Sequence, residues 1–469
     1  MKKMINRFLS FAIILTILFS IIPSSVFAAA TFEEVEAASA LLVDVQYDDT
    51  ILYDKNAHIK RPPASITKVM TALLILEAIQ RGDLTEDSIF TTSLDALSDI
   101  TSDSSTANIQ PGEQLSVENL LYCLLCPSAN EAANILAEGL SGSISAFVDA
   151  MNARAQELGM TNTHFSNPHG LHRDNHYTTA YDIFLMTKEA MTYPLFQKIV
   201  STASYEVPAT NMSDKRVFYN TNALLSSWKY AGYTYDPTTG VKTGHTPEAG
   251  YCLVSSAQKN GRSLIAVVLG ADTIVQSNGE VKRKQFAESK RLLQWGFSNF
   301  KSHTLLGADT LMREVPVSYG KGVSYVLGCP SETIDAILPN TYDSELLNFT
   351  VSLNNETVEA PVKKDQVLGT VTVSYDGQEY GTTELIAVND VERSTIQFIF
   401  SGIKAFFGSI LFRLLILAFV GMIILRFIRS LRHTPRKSNK TKQNKQSKQN
   451  KQNKQNKQNK PTSRPKVRR

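Results

Sequence analysis

The feature that most constrains the fold is an apolar run near the C-terminal end of the sequence, AFFGSILFRLLILAFVGMIILRFI (405–428). A helix of about 20 apolar residues is long enough to cross the hydrocarbon core of a bilayer. Arg413 is the one charge in the interior of the run, and near one end of a helix its side chain can reach the headgroups. The run predicts a transmembrane helix, with a hairpin or a surface-lying helix as the alternative.

The charges around this run predict its orientation. Residues 394–469 contain 19 Lys and Arg and no Asp or Glu. Basic residues next to a transmembrane helix stay on the cytoplasmic side. We therefore expect residues 394–429 to comprise an amphipathic lead-in on the membrane surface and the transmembrane helix, and residues 430–469 to be a cytoplasmic tail. The basic cluster at the far end of the run comprises Arg426, Arg429, Arg432, Arg436 and Lys437.

The tail contains the repeat KQNKQSKQNKQNKQNKQNK (442–460). This repeat has no apolar residue to bury, so disorder is predicted. A solvated tail and electrostatic contact with anionic lipid are the two interpretations of its charge.

The N-terminal sequence MKKMINRFLSFAIILTILFSIIPSSVFAAA has the features of a secretory signal peptide. Lys2, Lys3 and Arg7 form a charged start, an apolar stretch follows, and Val26-Phe27-Ala28 is a small-residue cleavage pattern. The prediction is a signal peptide over residues 1–28, with an uncleaved anchor as the alternative. In both cases the bulk of the protein is exported.

The part of the chain between these segments is acidic. Residues 8–393 contain 26 basic and 44 acidic residues, a net charge of −18, so no nucleic-acid partner is expected. The four cysteines are interpreted as small buried hydrophobic side chains. Two of them have C-x-x-C spacing, but no second pair or histidine follows at the spacing of a zinc site. The cysteines are Cys123, Cys126, Cys252 and Cys329.

Two regions of different character make up this acidic part. Residues 31–300 alternate helical and strand-like segments, which predicts one α+β domain with an antiparallel sheet. The strongest hairpin signal is AGYCLVSSAQKNGRSLIAVVLGA, in which two β-rich runs flank Asn260-Gly261. The segment FAESKRLLQWGFSNF then predicts an amphipathic helix. Residues 305–392 consist of short alternating runs between turn residues, which predicts a small all-β domain.

The segment PPASITKVMTALLILEAI (62–79) places Ser65 and Lys68 on one face of the first turn of a predicted buried helix. Backbone N–H groups at a helix N-terminus favour negative charge developing at a serine. A lysine desolvated beside that serine can lose its proton near neutral pH and accept the serine proton. The pair predicts a nucleophile with its base; the structural alternative is a helix cap with a solvent-reaching lysine.

A second pattern, CPSANEAAN, supplies Ser128-Ala129-Asn130 at the break before a helix. Ser128 can relay a proton to a leaving amine, and the Asn130 amide can hold a substrate backbone and Lys68. A plain helix N-cap is the alternative.

A third pattern, VKTGHTPEAG, supplies Lys242-Thr243-Gly244 at the predicted start of a strand. Gly244 would let a substrate peptide approach the strand edge closely. Lys242 and Thr243 offer a charge and a hydroxyl to an anionic terminus. The alternative is a β-turn.

The three patterns, in this order, resemble the set used by penicillin-binding proteins and serine β-lactamases. The chain is similar to the serine-type D-alanyl-D-alanine carboxypeptidases, the low-molecular-mass penicillin-binding proteins, over roughly residues 31–300. The resemblance implies a penicillin-binding/serine β-lactamase-like catalytic domain, and the β-rich part resembles the C-terminal domain of that family more loosely. The segments that carry the resemblance are ASITKVMTALLILE, LLYCLLCPSANEAANILAE, THFSNPHGLHRDNHYTTAYD and VKTGHTPEAGYCLVSSAQKNGRSLIAVVLGA.

This resemblance implies an acylation–deacylation cycle on peptidoglycan stem peptides that end in D-Ala-D-Ala, with no metal or other cofactor. Ser65 would attack the carbonyl between the two D-alanines, and Lys68 would be the base. Ser128 and Asn130 would assist. Water would release the shortened peptide, and β-lactams would acylate Ser65 as substrate mimics.

The resemblance also implies how the substrate is held. The backbone N–H groups of Ser65 and His245 would form the oxyanion hole, and Thr243 with Lys242 would recognise the terminal carboxylate. The family usually places an arginine after the hairpin to help bind that carboxylate. The sequence there, VKRKQFAESK, leaves Arg283 or Lys284 as candidates.

Three other functions use or mimic the same patterns. A DD-endopeptidase would cut crosslinks with the same residues. A class A β-lactamase would deacylate through a glutamate and a water, but no E-x-x-L-N-type segment lies between Asn130 and Lys242. A non-catalytic wall-binding module would be expected to have lost Ser65, Lys68 or Lys242, and all three are present.

Overall fold

The structure, a computed structural model, describes residues 32–47, 49–101, 104–275 and 281–432. The predicted signal peptide (1–28) lies outside the described residues, and so does the predicted tail beyond residue 432. Residues 319–322 and 392–432 belong to a compact unit separate from the rest of the described chain.

The elements of the first 300 residues are as follows in chain order. The strands are β1 (Ala37–Asp44), β2 (Thr50–Lys55), β3 (Ile89–Thr91), β4 (Gln114–Ser116), β5 (Ser204–Val207), β6 (Arg216–Tyr219), β7 (Thr238–Thr246), β8 (Gly250–Lys259), β9 (Arg262–Ala271), β10 (Thr273–Val275) and β11 (Val281–Arg283). The helices are α1 (Lys68–Arg81), α2 (Val117–Leu125), α3 (Asn130–Ser141), α4 (Ile144–Glu157), α5 (Ala180–Ala190), α6 (Pro194–Val200) and α7 (Lys284–Asn299).

Five strands form an antiparallel sheet with the order β2-β1-β9-β8-β7. The predicted turn at Asn260-Gly261 joins β8 to β9, and its two residues have φ angles of 52° and 77°. Positive φ at both positions is what a two-residue type I′ turn requires. Because β7 is at the edge of the sheet, one side of its backbone is left without a neighbouring strand of that sheet.

Helices cover both faces of this sheet. On one face lies α1, of whose 14 residues ten are buried, and its Leu, Ala and Met content favours a helix. It follows a 3₁₀ turn over Ala64–Thr67 and ends at Gly82, whose φ of 82° is left-handed. On the other face, α7 packs through Leu292 and Leu293. A sheet buried on both faces explains the uninterrupted apolar run in β9.

The following part is all-β. Its strands are β12 (Phe300–Leu306), β13 (Arg313–Ser318), β14 (Tyr325–Pro330), β15 (Ile334–Pro339), β16 (Leu347–Leu353), β17 (Val358–Glu359), β18 (Val367–Tyr375) and β19 (Gln378–Ala387). A six-stranded sheet has the order β16-β18-β19-β14-β13-β17, and β12 pairs with β15. The core of this part is aliphatic and includes Val315, Val371 and Leu385. The predicted α+β class, followed by a small all-β part, is confirmed.

The separate unit contains two apolar helices, α8 (Thr395–Gly408) and α9 (Ile410–Arg432). The sequence predicted one helix over residues 405–428, and its first residue was predicted wrongly, because the long helix begins at Ile410. Ser409 adopts an extended ψ of 148°, and its Oγ accepts a hydrogen bond from the Phe412 N–H at 3.1 Å. Serine favours such N-cap positions, so a new helix begins after it. Of the helices in the described ranges, α9 is the one long and apolar enough to cross a membrane.

The cysteines differ in burial. Cys123, Cys126 and Cys252 are fully buried, as predicted, whereas Cys329 is half-buried. All four are free thiols. Burial raises the pKa of Cys126 to about 12 and that of Cys252 to about 11, so these two remain protonated and apolar in character.

Candidate active site

A cleft of about 580 Å³ opens between the turn before α1 and the edge strand β7. Six of the eight residues predicted for the site line this cleft: Ser65, Ser128, Asn130, Thr243, Gly244 and His245. The other two, Lys68 and Lys242, are 0% and 1% exposed and lie behind the cleft surface. The structure therefore brings the three sequence patterns together.

A chain of hydrogen bonds fixes the backbone just before Ser65. Ala64 has a φ of 48°, which is unusual for alanine. Its carbonyl accepts a hydrogen bond from Thr67 Oγ1 at 2.8 Å, and Thr67 Oγ1 lies 2.8 Å from His176 Nε2. Because the Ser166 N–H donates to His176 Nδ1, the ring proton is on Nε2, which donates to Thr67. Burial lowers the pKa of His176 to about 3, so this ring is neutral.

Lys68 has three oxygen partners. Its Nζ lies 2.9 Å from Ser65 Oγ, 2.6 Å from Asn130 Oδ1 and 2.7 Å from the carbonyl oxygen of His169. These contacts provide hydrogen-bond partners for the buried amine. Ser65 and Lys68 are three residues apart in one turn, as the sequence predicted, so the pair forms from local geometry.

The surroundings of Lys68 favour its neutral form. Burial is the largest cause that lowers its pKa well below the ordinary lysine value, and the positive charge of Lys242 lowers it further. The carboxylate of Glu131 acts in the opposite direction. A lysine with a lowered pKa can act as a base near neutral pH.

The segment 167–171 packs tightly against the turn that carries Ser65. Gly170 has a φ of 93°, and a Cβ there would lie 1.9 Å from the carbonyl oxygen of Ala64. The Gly170 N–H donates to the Asn167 side chain at 2.6 Å. This close approach brings the neighbouring His169 carbonyl to Lys68, so no residue larger than glycine fits without displacing the turn.

Replacing Gly170 by alanine is expected to lower the free energy of unfolding by roughly 3 kcal/mol or more, because steric overlap adds to left-handed strain. It should also slow acylation by penicillin, because the Ala64 carbonyl must move. Gly232→Ala is the matched control: its φ is 89°, but a Cβ there would meet nothing within 4 Å. Urea unfolding and labelling rates measure both effects, and equal losses in the two variants would contradict the expectation.

The second pattern lies where α2 ends and α3 begins. Pro127 cannot continue α2, and Ser128 then takes a φ of 70°. The turn is closed by a hydrogen bond from the Ala129 N–H to the Cys123 carbonyl at 2.9 Å. Asn130 is the first residue of α3, and its side chain points to Lys68. Ser128 is 4% exposed and lines the cleft.

The third pattern lies within β7 rather than at its start. Pairing with β8 begins at Thr238 and Ala257, so the strand extends upstream of Lys242. The Cβ position of Gly244 faces the Ser65 turn, at 3.0 Å from the Pro63 carbonyl oxygen and 3.1 Å from Ala64 Cβ. Close packing of β7 against that turn is therefore a structural reason for this glycine.

Lys242 and Thr243 occupy opposite sides of the strand. Lys242 Nζ donates to the Thr243 carbonyl at 3.1 Å, and burial lowers its pKa to about 7. Thr243 Oγ1 lies in the cleft at 2.6 Å from Thr221 Oγ1. The hydroxyl is thus available at the cleft surface, whereas the lysine charge lies behind it.

The two candidate cations after the hairpin have different surroundings. Arg283 lines the cleft, and its guanidinium lies over the Tyr230 ring at 3.8 Å from the centroid. Lys284 is 4% exposed and forms an ion pair with Glu36. Arg283 is therefore the one of the two that faces the cleft.

Sequence reasoning missed several contributors to this site. The His169 carbonyl reaches Lys68 across 101 positions of the chain, and a backbone oxygen has no signature in residue type. Thr221 also lines the cleft next to Thr243. The one sequence signal in this segment is the glycine of NPHGL, since glycine often marks a tight backbone position.

Comparisons with known proteins identify the family of this chain. Residues 25–273 match the family described as D-alanyl-D-alanine carboxypeptidase, and residues 300–393 match the penicillin-binding protein 5 C-terminal domain. The D-alanyl-D-alanine carboxypeptidase DacF of Bacillus subtilis is 34% identical over 360 residues, which are 76% of this chain and 87% of that protein. DacA of Escherichia coli K12 is 31% identical over 76% of this chain and 84% of its own length.

Solved structures show the same likeness. Penicillin-binding protein 5 of Haemophilus influenzae superposes with a TM-score of 0.58 and 30% identity, covering 77% of this chain and 99% of that one. The two family matches together include the α+β part and the following β part. The chain therefore belongs to the D-alanyl-D-alanine carboxypeptidase family, the serine-type low-molecular-mass penicillin-binding proteins.

Proposed function

We propose that this chain removes the terminal D-alanine from peptidoglycan stem peptides through an acyl-enzyme at Ser65. Serine D-alanyl-D-alanine carboxypeptidase activity in cell-wall maturation is the function of its family. The observation that carries the assignment of Ser65 is the fully buried Lys68, whose Nζ lies 2.9 Å from Ser65 Oγ.

Lys68 is the base in this proposal. A neutral amine has two N–H groups and one lone pair. Asn130 Oδ1 and the His169 carbonyl can only accept, so they take the two N–H groups. The lone pair is then left for the proton of Ser65, whose oxygen attacks the substrate carbonyl.

The oxyanion formed by this attack lies at the backbone N–H groups of Ser65 and His245. Ser65 is in the turn before α1, and His245 is near the end of the edge strand β7. Half of the backbone groups of an edge strand point away from its neighbour, so β7 has N–H groups for a ligand. Such donors stabilise the tetrahedral intermediate because they are already oriented.

Ser128 returns the proton to the leaving D-alanine amine. Its hydroxyl lines the cleft next to Asn130, whose amide holds Lys68. The charge of Lys242, behind Thr243, assists this step by keeping the pKa of Lys68 low. Water then attacks the acyl-enzyme, with Lys68 again taking the proton.

The terminal carboxylate binds at the Thr243 hydroxyl, supported by two cations. Lys242 supplies a positive charge behind the strand, and Arg283 supplies a guanidinium at the cleft surface. Guanidinium groups match carboxylates in geometry as well as in charge. β-Lactams carry a carboxylate beside a reactive amide, so they acylate Ser65 in the same pose.

We also propose the location of the chain. The catalytic part is exported, α8 lies on the membrane surface, α9 crosses the membrane, and the basic segment after α9 is cytoplasmic. The length and apolar surface of α9 support this topology. Fractionation of cells expressing the full chain and a form ending at residue 393 tests it, since recovery of both in the membrane would contradict the anchor.

The experiment that tests the activity uses the full chain in detergent. It compares D-alanine release from a peptide ending in Lys-D-Ala-D-Ala with cleavage of a crosslinked muropeptide dimer. Fast D-alanine release with slow dimer cleavage is expected. Dimer cleavage without D-alanine release would replace the carboxypeptidase by an endopeptidase with the same residues.

A further inference from the structure

One wall of the cleft is a long connection between β3 and β4. Side chains of helix α3 form hydrogen bonds with this connection at two points. Ser104 and Ser105 of this connection line the cleft. Near its far end, the N–H of Ala107 donates to Glu131 Oε1 at 2.6 Å. Near its start, Asn134 Nδ2 donates to Asp99 Oδ1 at 2.8 Å. Asp99 is therefore held by the helix that begins with Asn130.

The other carboxylate oxygen of Asp99 binds a buried histidine. His169 Nε2 lies 3.0 Å from Asp99 Oδ2, and the His169 side chain is fully buried. The Leu171 N–H donates to His169 Nδ1 at 3.1 Å, so the ring proton is on Nε2 and donates to Asp99. Arg173 also lies beside the pair, with Nη2 3.7 Å from Asp99 Oδ2.

The same histidine provides a partner of Lys68 through its backbone. The His169 carbonyl accepts from Lys68 Nζ at 2.7 Å, while the His169 ring is tied to Asp99. One residue thus connects the cleft wall to the base. A buried imidazole N–H without an acceptor is destabilising, so without Asp99 the ring would turn to find another partner and the carbonyl would move with it.

We propose that Asp99 is a positioning residue for Lys68: by accepting a hydrogen bond from the His169 Nε2–H, it holds the His169 carbonyl in the place where that carbonyl accepts a hydrogen bond from Lys68. The proposal rests on the proposed function, in which Lys68 is the base. It adds that the position of Lys68 depends on Asp99, a residue of the cleft wall whose side chain does not contact Ser65 or Lys68.

Several charged groups surround the His169 ring and Lys68, and the test must separate the effect of Asp99 from theirs. His169 is faced by Asp99, Arg173 and Lys68, and burial together with the two cations lowers its pKa while Asp99 raises it. Its ring is therefore a neutral donor. Lys68 is faced by Lys242 and Glu131, and both remain when only Asp99 is changed.

The test measures the rate of acylation of the full chain by a fluorescent penicillin as a function of pH. In Asp99→Ala the plateau rate is expected to fall about 10- to 100-fold, because the base is misplaced. The pH of half-maximal rate should also move down, because Lys68 loses an acceptor that stabilises its protonated form. Asp99→Asn keeps an oxygen that accepts from Nε2–H, so its rate should stay within about threefold of wild type with an unmoved half-maximal pH.

Two further variants keep the test decisive. Asp95→Ala, at an exposed aspartate of the same connection, is expected to match wild type. Asp99→Leu, an apolar side chain of similar shape, should behave as Asp99→Ala and replaces it if the alanine variant does not fold. A lowered rate with an unmoved half-maximal pH in the alanine or leucine variant would give Asp99 only a structural role and overturn the proposal.

An asparagine variant as impaired as the alanine variant would also overturn it. The pH dependence of the acylation rate of the wild-type chain distinguishes a failure of this proposal from a failure of the proposed function. Absence of wild-type acylation would refute the function, whereas normal wild-type acylation with wild-type behaviour of Asp99→Ala would refute only the role of Asp99.

Discussion

Replacing Ser65 by alanine is expected to abolish D-alanine release and penicillin labelling together, lowering turnover at least about 10³-fold. The hydroxyl is the only group in the proposed mechanism that forms a covalent bond to substrate. Ser65 is half-buried, and its Oγ lies 2.9 Å from Lys68 Nζ at the surface of the cleft. The variant should therefore fold normally, and a D-alanine assay with penicillin labelling measures the loss.

Ser105→Ala is the matched control for Ser65→Ala. Ser105 is another serine that lines the cleft, and its backbone carbonyl rather than its side chain holds the Asn130 N–H. Activity of this control should remain within a few-fold of wild type. Residual labelling of Ser65→Ala at the wild-type rate would mean that another group is the nucleophile.

Replacing Lys68 by alanine is expected to lower the acylation rate roughly 10²- to 10⁴-fold, which is the range for loss of a general base. The pH dependence should change as well. Lys68 acts in its neutral form, so the wild-type rate rises as pH increases through a lysine pKa that burial and Lys242 hold well below its ordinary value. In Lys68→Ala that rise should disappear, as a pH series of labelling rates would measure.

The variant Lys242→Gln shows which of the two buried lysines, Lys68 or Lys242, is the base. Burial lowers the pKa of Lys242 to about 7, so the titration of Lys242 could itself produce a rise in rate near neutral pH. Because the charge of Lys242 lowers the pKa of Lys68, its removal should keep the rise but move it to higher pH. A rise that survives in Lys68→Ala and vanishes in Lys242→Gln would assign the base to Lys242 instead.

The parts of the site that depend on local spacing could be predicted from the sequence. Ser65 and Lys68 meet because residues three apart share a face of one turn. Pro127 predicted the break before Asn130, and Asn260-Gly261 predicted the turn between β8 and β9, which is confirmed. These features are determined by a few neighbouring residues, so no long-range packing was needed to find them.

The parts that depend on long-range packing could not be predicted. The His169 carbonyl comes to Lys68 only because Gly170 allows the segment to approach Ala64. The position of Lys242 in the middle of β7 follows from pairing with β8 rather than from its own residues. The choice between Arg283 and Lys284 was open in sequence because both follow the hairpin, and only Arg283 faces the cleft.

The break between α8 and α9 has a different cause. Both helices are apolar, so hydropathy alone predicted one continuous run from residue 405. The Ser409 hydroxyl interrupts it by accepting the Phe412 N–H, and a serine that competes for backbone hydrogen bonds is easily overlooked inside an apolar stretch.

The most direct test of the account is the site of the covalent adduct. The full chain is incubated with penicillin, digested, and the modified peptide is sequenced by mass spectrometry. A penicilloyl group is expected on Ser65, within the peptide that contains Lys68. An adduct on Ser128 or on any other residue, or no adduct from folded protein, would contradict it.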